Sequence, residues 1–135
     1  MSLRILIADD KPLVRSGLRM LLEQHDGWTV CGEAEDGIEA FEQTNSLEPD
    51  VILLDICMPQ LDGMKIMPLL RERMPNAAIV VLTMLESLDL ARTAAQRGAT
   101  AYITKSRLTT DLMPTLESLQ ARMNLPEEHQ FGIDW

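Results

Sequence analysis

Five polar side chains in this 135-residue chain stand at the ends of apolar runs. Asp9 and Asp10 follow one run, Asp55 a second, Thr83 a third and Lys105 a fourth. If these runs are strands lying side by side in one direction, all five gather on one edge. Three carboxylates within a few ångströms repel one another, each contact at about 4 Å costing on the order of 4 kcal/mol at an effective dielectric near 20, so the cluster calls for a cation. With oxygen donors and no histidine the ion is a hard one. Magnesium fits best, because it takes one or two carboxylates, keeps waters and accepts phosphate oxygens, whereas zinc draws on His or Cys. A lysine ammonium and a threonine hydroxyl facing the same ion supply what the equatorial oxygens of an incoming phosphoryl group need. The remaining part is a nucleophile, which a carboxylate can be. Asp55 is that candidate; a lone strand-end aspartate would first be read as a turn cap, but Asp55 has company.

The elements that must position these groups follow from the patterning. Residues 51–54 are apolar, partly β-branched, too short for a helix and set between Pro49 and Pro59, which describes a strand buried on both faces of a parallel sheet. Residues 3–8 form the first strand. Pro12 suits a first helical turn, and Leu13, Val14, Leu18, Leu21 and Leu22 recur at helical spacing through Gln24, with Gly27 beyond. Residues 29–34 make the second strand, Asp36-Gly37 opens a second helix through Leu47, and residues 64–74 make a third. Pro68 lies within that third helix and predicts an irregular first turn, since an interior proline removes a hydrogen bond at about 3 kcal/mol. Strand 4 spans residues 77–82, helix 4 residues 87–97 with Gly98 as its stop, and strand 5 residues 101–104. Thr109 or Thr110 is expected to cap a fifth helix ending near Met123, with Pro114 close to its start. Five strands alternating with five helices give an α/β, doubly wound, five-stranded parallel sheet with helices on both faces. In such sheets ligands sit beyond the carboxyl ends of the strands.

One domain, residues 1–123, accounts for the length, and residues 124–135 read as an acidic tail or a truncated linker, a natural tail being preferred. Lys and Arg number 12 against 21 Asp and Glu, a net charge of -9, which argues against a nucleic-acid-binding surface. Cys31 and Cys57 are too few for a disulfide framework and read as reduced core thiols. No apolar run approaches the roughly 20 residues of a membrane span. The expectation is a cytoplasmic protein with no membrane partner. Met64, Met67, Met74 and Met84 read as core or helix filling, and His25 and His129, without metal-ligand spacing, as surface residues.

The ordered set Ile-Ala-Asp-Asp, Leu-Leu-Asp-Ile-Cys-Met-Pro-Gln-Leu-Asp-Gly, Val-Leu-Thr-Met and Gly-Ala-Thr-Ala-Tyr-Ile-Thr-Lys, spread over residues 3 to about 123, resembles the receiver domain of two-component response regulators. The opening Asp-Asp-Lys-Pro-Leu-Val-Arg-Ser-Gly-Leu and the Gly-Glu-Ala-Glu-Asp-Gly at the second strand resemble the subgroup that precedes helix-turn-helix DNA-binding domains. This resemblance implies a flavodoxin-like fold and a signalling phosphoacceptor rather than an enzyme with an external substrate. Asp55 would accept a phosphoryl group from the phosphohistidine of a sensor histidine kinase. Mg2+ would be held by Asp10, by Asp9 directly or through water, by Asp55, and by the main-chain carbonyl of Cys57. Lys105 and Thr83 would contact phosphoryl oxygens, and Tyr102 would turn inward as Thr83 moves, making a two-state element read on the face of helix 4, strand 5 and helix 5. Receivers of the subgroup pair through helices 1 and 5 or through that same face, which implies a homodimer when phosphorylated.

Two departures bear on these roles. Ser106 follows Lys105 where the family commonly has proline, so a trans bond and a differently shaped loop are expected. Met84 is larger than the small residue common after the threonine. Other functions fit the same residues less well. A phosphatase with an aspartyl nucleophile would carry a second acid two residues on, where Cys57 stands. A flavodoxin-like cofactor binder would have a Gly, Ser or Thr loop after strand 1, where Asp9-Asp10-Lys11-Pro12 is acidic. A stand-alone receiver acting only by protein contact, phosphorylated or fixed in one state, is the nearest alternative to the amino-terminal part of a transcription regulator.

Overall fold

A computed structural model describes residues 2–58 and 63–124. Pro59, Asp62, His129 and the tail from residue 125 lie outside them. The chain runs β1 (Leu3–Ala8), α1 (Pro12–Glu23), β2 (Trp28–Ala34), α2 (Gly37–Leu47), β3 (Val51–Asp55), α3 (Gly63–Arg73), β4 (Ala78–Thr83), α4 (Leu88–Gln96), β5 (Ala101–Thr104), a short 3-10 turn (Lys105–Arg107) and α5 (Leu108–Asn124). The strands form one parallel sheet in the order β2-β1-β3-β4-β5.

Side-chain alternation divides the core into two layers, one on each face of the sheet. Val51 and Leu53 join Ile5, Ile7, Val80 and Leu82 under Leu18 and Leu22 of α1 and Leu112 and Leu116 of α5. Ile52 and Leu54 join Leu6, Ile79 and Val81 under Ala40 of α2, Ile66, Met67 and Leu70 of α3 and Ala94 of α4. A strand of alternating faces that are both apolar can only sit in the middle of such a sandwich. β3 is accordingly buried at every residue, Asp55 included.

Register then fixes the edge. Ala8 pairs with Leu54, Asp55 with Leu82 and Thr83 with Thr104. Asp9, Asp55, Thr83 and Lys105 therefore leave the sheet at nearly the same level. The order reverses between β1 and β3, β1 feeding β2 on one side and β3 feeding β4 on the other, so a crevice opens outside their carboxyl ends.

Several local expectations are corrected. α3 is helical from Gly63 through Arg73 with Pro68 inside it. The Met64 carbonyl, four residues before Pro68 and deprived of its usual N–H, accepts instead from Arg97 Nη1 at 2.8 Å. α5 has no Thr109 or Thr110 cap: the 3-10 turn leads straight into it at Leu108, so Pro114 is its seventh residue. Asp36 and Ser87, by contrast, cap α2 and α4 by accepting from Glu39 N and Leu90 N. Cys57 and Met84 are exposed rather than core, in the loops beyond the ends of β3 and β4. His25 is half-buried and stacks on Trp28 with ring centroids 3.7 Å apart. No helix among the described residues is long and apolar enough to cross a membrane.

Candidate functional site

Asp9, Asp55 and Thr83 are buried almost completely, which is costly for acids unless something answers their charge. The answer within the protein is Lys105. Its ammonium, delivered by the end of β5, lies 2.7 Å from Asp9 Oδ2 and 3.3 Å from Asp55 Oδ2. The other oxygens take main-chain donors: Lys11 N gives to Asp9 Oδ1 at 2.8 Å, and Cys57 N gives to Asp55 Oδ1 at 2.9 Å. Both are Asx turns, the local device by which an aspartate at a strand end shapes the loop after it.

One ammonium does not balance the two buried acids it bridges, and Asp10 beside them meets the exposed Lys11 ammonium at 3.4 Å. Asp9, Asp10 and Asp55 each offer an oxygen, and these oxygens lie within 4.8 Å of one another. Burial raises the Asp55 carboxyl above its ordinary value, the Cys57 N–H and the Lys105 charge work the other way, and the Asp9 charge raises it further. Burial also opposes the charge on Lys105, but hydrogen bonding to Asp9 and the charges of Asp55 and Asp9 outweigh it and hold the amine above its usual range. Three clustered carboxylate oxygens and a neighbouring main chain, with no sulfur or imidazole grouped with them among the described residues, suit a small hard cation. The residues present therefore fit Mg2+.

Thr83 and Tyr102 meet at one residue. Leu85 N donates to Thr83 Oγ1 at 3.2 Å, while the Tyr102 hydroxyl donates to the Leu85 carbonyl at 2.7 Å. The β4–α4 loop is thus held from both sides, by the threonine at the site and by the half-buried tyrosine on the outer face. Cys57 Sγ lies 3.9 Å from Thr83 Oγ1. Ser106 follows Lys105 through a trans bond, as expected, and its hydroxyl reaches Glu86 Oε1 at 3.3 Å, joining the β5–α5 turn to the β4–α4 loop.

All the side chains singled out from the sequence are brought to this edge, apart from Tyr102, which flanks it. Two further residues were not singled out. Gly63 opens α3 against the back of the site, where an added Cβ would lie 2.6 Å from Ile56 Cα and 2.7 Å from the Asp55 carbonyl oxygen. Asp62-Gly63 reads in sequence as an ordinary turn, and only the packed backbone shows why no side chain fits. Arg15 donates to the main-chain carbonyl of Asp9 at 2.6 Å. It looks in sequence like one more polar residue on the wet face of α1.

A family model described as the response regulator receiver domain matches residues 5–117. The nitrate/nitrite response regulator protein NarL of Escherichia coli K12 is 37% identical over 117 residues, covering 87% of this chain and 54% of NarL. The transcriptional regulatory protein YdfI of Bacillus subtilis is 34% identical over 115 residues, covering 85% and 54%. Among solved structures, a two-component response regulator of the LuxR family from an Aurantimonas species superposes with a TM-score of 0.85 at 32% identity, covering 90% of this chain and 86% of that one. The isolated receiver domain of RcsB from Salmonella enterica serovar Typhimurium, in the presence of the phosphomimetic BeF3-, gives 0.83 at 29% identity, covering 90% of each. The chain spans about half the length of the curated relatives it matches. With the family model spanning most of the chain and the receiver fold reproduced around an acid, threonine and lysine edge, this protein belongs to the response regulator receiver family, of the NarL and LuxR type.

Proposed function

We propose that Asp55 is the phosphoacceptor, taking a phosphoryl group from the phosphohistidine of a sensor histidine kinase. An Asp55 carboxylate oxygen forms the new O–P bond as the N–P bond breaks, the electron pair staying with the leaving imidazole. The observation that carries this is the environment of Asp55: a buried carboxylate whose oxygens are oriented by Cys57 N and Lys105 Nζ beside two further acids. Asp9, Asp10, Asp55 and the Cys57 carbonyl would hold Mg2+, which when bound offsets the charge of the carboxylates and of the phosphoryl oxygens. Lys105 then has a phosphoryl oxygen to bind in place of its paired aspartates. Thr83, which accepts from Leu85 N in the free state, can donate its own proton to another phosphoryl oxygen.

The same step supplies a switch. Thr83 and Tyr102 share Leu85, so a Thr83 drawn toward the phosphoryl group shifts the residue whose carbonyl holds the Tyr102 hydroxyl. The output surface is the face of α4, β5 and α5, where exposed Leu88 lies close to Tyr102. A homodimer would form through that face or through α1 and α5, where Leu13 is 87% exposed beside a groove between the two helices. By its likeness to regulators about twice its length, the segment of residues 1–123 would serve transcription regulation as a phosphorylation-controlled module in the cytoplasm, binding no nucleic acid itself and leaving residues 124–135 as a linker or tail. A stand-alone receiver working by protein contact uses the same site.

The test is intact mass after incubation with phosphoramidate or acetyl phosphate and Mg2+. An adduct of about 80 Da, the mass an acyl phosphate adds, is expected in this protein and not in Asp55→Asn. An adduct retained by Asp55→Asn, or none in either protein, would overturn the assignment.

A further inference from the structure

Asp10 is the least constrained of the three clustered acids. It is the only one of the three that is not buried, and among the described residues its carboxylate has one hydrogen-bond partner, the exposed Lys11 ammonium at 3.4 Å. A side chain so weakly held points where its peptide points. The main chain on both sides of Asp9 is fixed from outside the loop, and the peptide leading on to Asp10 is held through the Asp9 carbonyl. Asp9 N donates to the Ala34 carbonyl of β2 at 3.0 Å, and the Asp9 carbonyl accepts from Arg15 Nη1 at 2.6 Å.

Arg15 is itself held. Its Nε donates to Glu33 Oε1 at 3.0 Å, and its side chain is only 14% exposed. Arg19 takes the second oxygen of Glu33 at 2.8 Å from one helical turn further along α1. Partial burial works against the charge of Glu33, but the hydrogen bonds from Arg19 and Arg15 outweigh it and keep the carboxyl below its ordinary range. The planar guanidinium of Arg15 holds the Glu33 carboxylate and the Asp9 carbonyl in fixed relative directions, whereas the rotating donors of an ammonium would hold them less rigidly.

We propose that Arg15, oriented by Glu33, is a positioning residue for the cation site: by clamping the Asp9 carbonyl it sets the direction of the Asp10 carboxylate and so the affinity for Mg2+. The proposal rests on the reading of the acid cluster as a Mg2+ site. Partners that orient metal ligands without touching the metal typically contribute 10–100-fold in affinity when removed.

The sign of the effect separates positioning from charge. Arg15 is a cation near a cation site, so through charge alone its removal would tighten Mg2+ binding. Through positioning its removal weakens binding. The experiment is calorimetric titration of the whole chain with Mg2+ alone, for the wild type, Arg15→Gln, Arg15→Lys, Glu33→Gln and, as reference, Arg19→Gln, which loosens Glu33 without touching the Asp9 carbonyl. Arg15→Gln should bind Mg2+ about tenfold more weakly, Arg15→Lys should recover only part of this, Glu33→Gln should weaken binding less, and Arg19→Gln should change little. At saturating Mg2+ the rate of labelling by phosphoramidate in Arg15→Gln should return close to that of the wild type, a split that loss of folding would not produce. Unchanged or tighter Mg2+ binding in a folded Arg15→Gln would overturn the proposal while leaving the site reading intact. Absence of Mg2+ binding in the wild type would overturn both.

Discussion

The two edges of the sheet solve opposite problems. At the amino edge, guanidinium groups meet neutral carbonyls. Arg71 donates to the carbonyls of Met74, Pro75 and Ala77 and, through Nε and Nη2, to that of Gly98, so one side chain closes the end of α3 and ties it to the turn before β5. Arg4 does the same for Leu47 and Glu48 at the end of α2, where Glu48 adopts a left-handed φ of 49°. Burial lowers the pKa of Arg71, as expected for a cation desolvated among neutral acceptors rather than paired with an acid. At the carboxyl edge the buried Asp9 and Asp55 share Lys105, Asp10 beside them meets the exposed Lys11 at 3.4 Å, and burial leaves Asp55 reluctant to ionise. One edge is satisfied as it stands; the other, on the reading proposed above, is completed by a cation or a phosphoryl group. A chain can afford an unfinished edge where it binds something, provided the opposite edge is closed.

Breaking the closed edge should have the largest effect on stability. Arg71→Ala leaves several carbonyls of two chain segments without donors and is expected to cost about 2–4 kcal/mol in urea unfolding, the scale for hydrogen bonds from a charged donor to partly buried acceptors. Phosphoramidate labelling of the folded fraction should be unchanged, and a loss of labelling without a loss of stability would blur the division between the edges. Gly63→Ala tests the other edge from behind. The added methyl must push the Asp55 and Ile56 backbone aside, so about 1–3 kcal/mol of destabilisation is expected, together with slower labelling at every Mg2+ concentration. Normal labelling kinetics in Gly63→Ala would show that the site tolerates a displaced backbone.

The same contrast explains which features could be read in the sequence. β1, β3 and β4 are legible because strands covered on both faces are almost wholly apolar, with Arg4 near the start of β1 the exception, and a polar residue that ends such a run marks the edge. Asp9, Asp55 and Thr83 follow from that reasoning, and Lys105 marks the end of the shorter, half-buried β5 in the same way. Asp36 and Ser87 mark in sequence only the starts of α2 and α4, and the structure shows both as side-chain caps. What the pattern hides has several causes. Pro68 reads as a break, and Arg97, 33 residues from the carbonyl it serves, removes the need for one. Thr109 and Thr110 read as caps, but the turn after Lys105 already has helical hydrogen bonding, and Thr110 Oγ1 donates to the Arg107 carbonyl instead. Cys57 reads as core by continuing an apolar run, yet β3 ends at Asp55 and the loop carries Cys57 to the surface while Ile56 and Met58 turn inward. Arg15 and Arg71 carry no pattern at all, since an arginine on a polar helix face looks the same whether it meets water or a carbonyl.

The most direct test of the unfinished edge is thermal unfolding of the wild type and Asp55→Asn, first without metal and then with Mg2+. The folded-state pKa of Asp55 is raised above its ordinary 3.8, so this group contributes stability below the unfolded pKa and loses it as pH rises through the folded value. At pH 7 without metal Asp55→Asn should therefore melt higher than the wild type, by roughly 3–5 °C if about 1 kcal/mol is relieved. The gap should shrink as the pH is lowered toward 3.8, and Mg2+ should raise the wild type more than the variant. A metal-free Asp55→Asn that melts below the wild type at pH 7 would contradict the account, because the carboxyl edge would then be as satisfied as the amino edge.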